Sequence, residues 1–343
     1  MELDFLDVKD DINIVDSFAK ADSVINNPRY KSIICSVSGG SDSDIMLDLI
    51  CRIDRNKKVK YVWFDTGLEY QATKEHLIYL KKRYNIDIIR ERAIKPIPIT
   101  CQEYGQPFLN KYVSEQISRL QKHNFKWDNK SYDELVKMYP ECKSAVKWFC
   151  NQYTKENNFE KVSRFDIGYN KYLREFLIAN PPNFRISSKC CYFAKKNVSK
   201  NLEKKYNADL EITGVRQAEG GIRSTAYKNC YSINDKKIDT YRPIFWYKDD
   251  TKKRYESKFN IINSDCYKKY GFKRTGCCCC PYGRNLEEEL KIISIYEPML
   301  YRAACNIFKE SYEYTRMYKD FVWNMKIKET SGQRTIFDYM KNP

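Results

Sequence analysis

Two groups of residues in this chain carry side chains suited to chemistry rather than to packing alone. The first is Cys190-Cys191 together with Cys277-Cys278-Cys279-Cys280, which makes six of the fourteen cysteines. Cys277 and Cys280 stand in C-x-x-C spacing, which lets two sulfurs face one centre. Four thiolates of this kind suit either a tetrahedral zinc ion or an iron–sulfur cluster. Adjacent cysteines such as Cys190-Cys191 are awkward ligands for one ion, because their short backbone separation strains both. A cubane offers a separate iron to each sulfur, so the expectation is a 4Fe–4S cluster on Cys190, Cys191, Cys277 and Cys280, with zinc as the alternative. The remaining eight cysteines, Cys101 among them, read as small apolar residues or surface thiols. The second group is Ser38-Gly39-Gly40-Ser41-Asp42-Ser43. Its glycines let backbone approach a phosphate and adopt positive φ. Its serines add hydroxyl donors, and N–H groups at a following helix start attract anions. The loop lacks the Gly-Lys-Ser/Thr ending of a Walker A motif.

The elements that must position these residues can be read from hydrophobic periodicity. Asp10 and Asp11 open an amphipathic helix over residues 10–29, with Ile14, Val15, Phe18, Ala21, Val24 and Ile25 on one face. Residues 31–37 read as a buried strand that runs into the Ser38–Ser43 loop, and a helix follows with Ile45, Met46, Leu49 and Ile50 inward. A second strand over 59–64 ends at Asp65-Thr66-Gly67; a helix over 69–84 and a strand over 86–90 follow. This alternation predicts βαβ units, hence an α/β fold with a doubly wound, mainly parallel sheet. Residues 100–185 break the alternation as a Lys- and aromatic-rich helical insertion. The pattern resumes with a helix at 194–206, a strand at 209–214 and a hairpin turning at Asn234-Asp235. Residues 286–328 read as helix. The expected organisation is an N-terminal helix (1–30), a nucleotide-binding domain (31–285) carrying the insertion, and a C-terminal helical segment (286–343).

With this strand–loop–helix context, Ser-Gly-Gly-x-Asp-Ser resembles the PP-loop of the adenine nucleotide α-hydrolase superfamily. Asp65-Thr66-Gly67 with Thr73 resembles the phosphoadenosine phosphosulfate (PAPS) reductase branch, in which the end of the second strand helps hold adenosine. Thr213-Gly214-Val215-Arg216 with Arg223 resembles that branch's arginine-bearing segment. Pro243-Ile244-Phe245-Trp246 and Gly271-Phe272-Lys273-Arg274-Thr275-Gly276-Cys277 resemble two later ones, and Tyr104-Gly105-Gln106-Pro107 resembles a stretch of phage and bacterial members. Together these cover about residues 31–285. The resemblance implies that ATP or a sulfonucleotide (PAPS or adenosine phosphosulfate) is held by Ser36, Ser38, Gly39, Gly40, Ser41, Asp42, Ser43, Asp65, Thr66, Gly67, Gly214, Arg216 and Arg223. Asp42 would carry Mg²⁺, and Arg216 and Arg223 would face phosphate charge, so these three are the expected catalytic residues. The cysteine pattern is similar to the 4Fe–4S ligand pattern of cluster-bearing sulfonucleotide reductases, and Lys195 and Lys196 resemble basic positions there.

The resemblance breaks at the family's Glu-Cys-Gly-x-His-type motif, whose cysteine attacks the sulfate sulfur. After Cys280 the sequence holds only Cys305, and residues 330–343 hold neither Cys nor His. The first expectation is therefore ATP cleavage between the α- and β-phosphates, adenylating an acceptor, with the cluster handling sulfur. The alternatives are a sulfonucleotide reductase that releases sulfite, and an inert nucleotide-sensing or interaction protein.

The 343 residues carry 61 Lys and Arg against 45 Asp and Glu, a net +16. That surplus favours phosphate-bearing partners, either nucleic acid (tRNA or DNA) meeting the basic, aromatic insertion or the nucleotide itself. A sulfur or electron donor protein is a further expected partner. The acidic start Met1–Asp7 is unlike a secretory signal and no apolar run approaches ~20 residues, so a cytoplasmic protein without membrane contact is expected. Clustered cysteines there mean metal or redox chemistry more often than disulfides.

Overall fold

The computed structural model describes residues 11–220, 226–234 and 238–330. The chain divides into two compact units. Unit 1 takes residues 1–97, 192–278 and 289–300; unit 2 takes 98–191, 279–288 and 301–343.

Unit 1 is built on a six-stranded sheet. Its strands are β1 (Ile33–Ser36), β2 (Val59–Asp65), β3 (Ile88–Arg92), β4 (Leu210–Thr213), β5 (Tyr231–Ser232) and β6 (Asp239–Tyr241), in the order β3-β2-β1-β4-β6-β5. All neighbours are parallel except β5 with β6, the expected hairpin, whose turn at Asp235 lies outside the described residues. Helix α1 (Ile12–Ile25) is capped by Asp11, whose side chain accepts from the Asn13 and Ile14 N–H groups. Helices α2 (Ser41–Ile53) and α3 (Gln71–Tyr84) follow β1 and β2. The apolar faces of α1 and α2 bury Ile14, Phe18, Ile45, Leu49 and Ile50 with Ile33, Cys35 and Tyr61 of the sheet in one core. Strand pairing reverses direction at β1, with β2 on one side and β4 on the other. In parallel sheets, ligands bind beyond the strands' carboxyl ends at such a switch point. The loop after β1 stands there.

Unit 2 contains the C-terminal part of α4 (Ile97–Tyr104), α5 (Lys111–Lys122) and shorter helices, with Lys309–Thr330 from the C-terminal stretch. Trp148, Phe149, Phe108, Phe176 and Leu177 form its core, and Tyr314 and Tyr318 of the long helix pack into it. Past the Cys190-Cys191 pair the chain makes a wide π turn over Tyr192–Lys196, then α6 (Asn197–Lys205). The predicted 286–328 helix is three helices, Leu286–Tyr296, Pro298–Ile307 and Lys309–Thr330. Pro298 opens the second, where its missing N–H costs nothing. Among the described residues no helix is long and apolar enough to cross a membrane.

Candidate functional site

In unit 1, β1 ends and the chain turns through Ser38-Gly39-Gly40 into α2. Gly39 has φ +67°, and a Cβ on it would stand 3.2 Å from the Thr73 methyl of α3. A side chain there is both strained and crowded. A Cβ on Gly40 would meet the hydroxyls of Thr275, Ser38 and Tyr267 at 3.2–3.3 Å, so the loop backbone sits in a ring of hydroxyl groups. The Ser38 N–H donates to Ser43 Oγ (2.9 Å) and the Ser41 N–H to Tyr267 Oη (3.2 Å). Gly214, after β4, lets the loop pass: its Cβ would meet Asp42 O and Ser43 Cα at 3.2 Å. A cavity of about 120 Å³ opens beside the loop between Ser38, Glu69, Thr73, Lys195 and Thr275.

Charged side chains at the loop are paired with one another. Asp42 Oδ1 accepts from Lys252 Nζ at 2.7 Å and is 2.9 Å from Arg216 Nε. Lys252 also donates to Ser41 Oγ at 2.5 Å. It projects from α7 (Asp249–Lys258). One carboxylate oxygen of Asp42, the residue expected to carry Mg²⁺, thus faces two cations. Arg216 is buried, and besides Asp42 it pairs with Asp249 (2.9 Å) and donates to the Tyr247 carbonyl (3.2 Å). Burial works against its charge, yet Asp42 and Asp249 outweigh that and raise its pKa. Arg223 lies outside the described residues.

At the end of β2, Asp65 accepts from Arg90 Nε (2.8 Å) and from the Gly67 N–H (2.9 Å). Burial pushes its carboxyl up, but these partners win and hold it below the usual carboxylate range. Thr66 donates to Glu69 Oε1 at 2.6 Å, and burial raises the Glu69 carboxyl at the cavity wall. Behind the loop, fully buried Asp44 meets His76 Nε2 at 2.7 Å; burial raises Asp44 more than His76 lowers it. Ser36 Oγ reaches Glu211 at 3.5 Å. A larger cavity of about 920 Å³ lies at Arg52, Asp54, Lys60 and Asn85, by the amino ends of β2 and β3. That is the sheet edge opposite the loop, and Arg52 there is paired to Asp48 at 2.7 Å.

The thiols gather in unit 2. Helix α4 ends at Gly105, where φ is +109° and a Cβ would strike the Arg185 carbonyl oxygen at 2.2 Å. Gln106 bridges Ile186: the Gln106 N–H donates to Arg185 O (2.8 Å) and the Ser187 N–H to Gln106 O (2.9 Å). This crossing brings Cys101 of α4 to the Cys190-Cys191 pair. The Cys190 thiol is raised first by its hydrogen bond with Cys101; Cys191 also hydrogen-bonds it, and Cys280 acts on it electrostatically. Of the four expected ligands, Cys191 and Cys280 thus act on the Cys190 thiol, as Cys101 does, and Cys277 belongs to unit 1. Among the described residues no three His, Cys, Asp or Glu side chains are arranged to hold a metal ion. Thiolate sulfur is the donor type that iron–sulfur clusters use. The sequence missed Lys252 because it stands in a run of charged residues that reads as a solvated helix face, and Cys101 because it is an isolated cysteine.

Residues 32–282 match the phosphoadenosine phosphosulfate reductase domain family. No curated protein matches the chain. Among solved structures it is similar to a phosphoadenylyl-sulfate reductase from Candida auris in its phosphate complex, at 11% identity over 81% of this chain and 97% of that one, TM-score 0.41. It is also similar to the U34-tRNA thiolase from Methanococcus maripaludis with its 4Fe–4S cluster (13% identity, 90% and 80% covered, TM-score 0.38). A third is the NH3-dependent NAD synthetase from Campylobacter jejuni subsp. jejuni NCTC 11168 in complex with nitrate (12% identity, 88% and 94% covered, TM-score 0.35).

Proposed function

The chain belongs to the phosphoadenosine phosphosulfate reductase domain family, and from that premise we propose that it is an enzyme that binds ATP at the Ser38–Ser43 loop and cleaves it between the α- and β-phosphates. The observation that carries the reading is the glycine turn at the start of α2, where Gly39 and Gly40 bring backbone N–H groups and a ring of hydroxyls to one point. An acceptor oxygen attacks the α-phosphorus, the α–β bridging P–O bond breaks, and pyrophosphate leaves with the electron pair. Ser38, Gly39, Gly40 and Ser43 hold the departing pyrophosphate, and Gly214 keeps the loop close to β4. The end of β2 at Asp65-Thr66-Gly67 holds the nucleoside. A 4Fe–4S cluster on Cys190, Cys191 and Cys280, with Cys101 beside them, would supply or relay the sulfur that replaces the adenylated oxygen. The net +16 charge and the basic, aromatic insertion support a nucleic-acid acceptor, tRNA or DNA.

The second reading, release of sulfite from PAPS or adenosine phosphosulfate with a thiol donor, is favoured by the family match. A nucleotide panel separates them. The full chain, prepared without oxygen, is incubated with ATP, PAPS and adenosine phosphosulfate, with and without tRNA or DNA, and the products are identified. AMP and pyrophosphate from ATP support the first reading. Sulfite from either sulfonucleotide, with no ATP turnover, replaces it with the second.

A further inference from the structure

Lys252 belongs to no motif read in the sequence, yet its ammonium stands at the first turn of α2. Nζ is 2.7 Å from Asp42 Oδ1 and 2.5 Å from Ser41 Oγ, with the side chain only 16% exposed. Arg216 Nε reaches the same Asp42 oxygen at 2.9 Å. One carboxylate thus holds two cations at a helix start, where the N–H groups add positive potential of their own. A divalent cation brought to Asp42 would meet repulsion from all three. An anion would meet attraction from all three, and the ammonium has three donor positions to offer. Arg216 is committed to Asp42, Asp249 and the Tyr247 carbonyl, whereas among the described residues Lys252 is held only by Asp42 and Ser41, which leaves its third donor position for a ligand at the start of α2.

Resting on the nucleotide reading of the loop, we propose that Lys252 binds a phosphate group of the nucleotide directly, and that Asp42 is a positioning residue holding Lys252 and Arg216 at the loop rather than a ligand of Mg²⁺. Phosphate charge at the start of α2 is then neutralised by side chains, and binding at this point is independent of divalent metal.

The test is calorimetric titration of the full chain with ATP and with adenosine, each in Mg²⁺ and in EDTA. Wild type is expected to bind ATP in EDTA within a fewfold of its affinity in Mg²⁺. Losing a charge-assisted contact predicts that Lys252→Gln weakens ATP binding about tenfold or more and leaves adenosine binding unchanged. Lys252→Arg retains most of the affinity, which separates charge from folding. Asp42→Asn weakens ATP by the same factor in Mg²⁺ and in EDTA. Lys252→Gln binding ATP like wild type, or Asp42→Asn weakening it only when Mg²⁺ is present, overturns the proposal. Wild type binding no ATP in either buffer overturns the nucleotide reading together with it.

Discussion

Asp65 shows how a site residue is tuned by its neighbours. It is nearly buried, which alone would raise its carboxyl, but Arg90 and the Gly67 N–H hold it below the ordinary carboxylate range. A carboxylate with a depressed folded pKa adds stability above its unfolded pKa, near 4, and loses it as pH falls through the folded value. Arg90→Gln should therefore destabilise unit 1 by at most about 1 kcal/mol near neutral pH, because the Arg90 side chain is half exposed and screened. The difference from wild type should vanish toward pH 2. Urea unfolding between pH 2 and 7 reads this, and a difference that persists unchanged at pH 2 would contradict it. The cysteines give a second residue-scale expectation. Because Cys101 acts directly on the Cys190 thiol, the cluster proposed above predicts that Cys101→Ser lowers the iron bound per chain or changes its low-temperature EPR signal, whereas Cys305→Ser leaves both intact.

At the scale of elements, the crossing of α4's end over residues 185–187 fixes where the thiols meet. Gly105 has no room for a Cβ, since the Arg185 carbonyl oxygen would be 2.2 Å away and the φ of +109° is closed to other residues. Gly105→Ala should cost about 3 kcal/mol or more, the upper end of overpacking, because the clash is with backbone. The loss should appear as a lower thermal midpoint of the full chain. Gly220 stands at φ +69° and ψ −162°, a region essentially reserved for glycine, and among the described residues nothing lies within 4 Å of a Cβ built on it; Gly220→Ala therefore tests backbone strain alone and should cost about 1–3 kcal/mol. Much at this scale was legible in the sequence. The βαβ rhythm, the loop after β1 and the hairpin near Asn234 all follow from apolar runs broken by glycines and polar turns. The split of the 286–328 segment was less legible: only Pro298 marks a boundary there, and the break before Lys309 has no turn residue to announce it.

For the whole molecule, the net charge of +16 is the property with the longest reach. If the acceptor is a nucleic acid, binding must release counterions, and affinity falls steeply with salt. The full chain should bind tRNA or duplex DNA at least about tenfold more weakly in 200 mM than in 50 mM salt, measured by fluorescence anisotropy. Binding that is flat across this range would mean that the basic charge serves the nucleotide and solubility rather than a polynucleotide.

The sequence by itself determined the parallel α/β sheet, the glycine- and serine-rich loop after its first strand and the two cysteine groups far apart along the chain that could share one centre. Those signals are local or pattern-borne: periodicity, glycines before a helix, and thiols at short spacing. The tertiary structure alone decided which charges share the loop and which thiols share a neighbourhood. Lys252 and Asp42 are far apart in sequence, as are Cys101 and Cys190, and nothing in either stretch marks the other as its partner. Only in three dimensions does Asp42 stand between a lysine and an arginine, because α7 and the segment after β4 both deliver a cation to the start of α2.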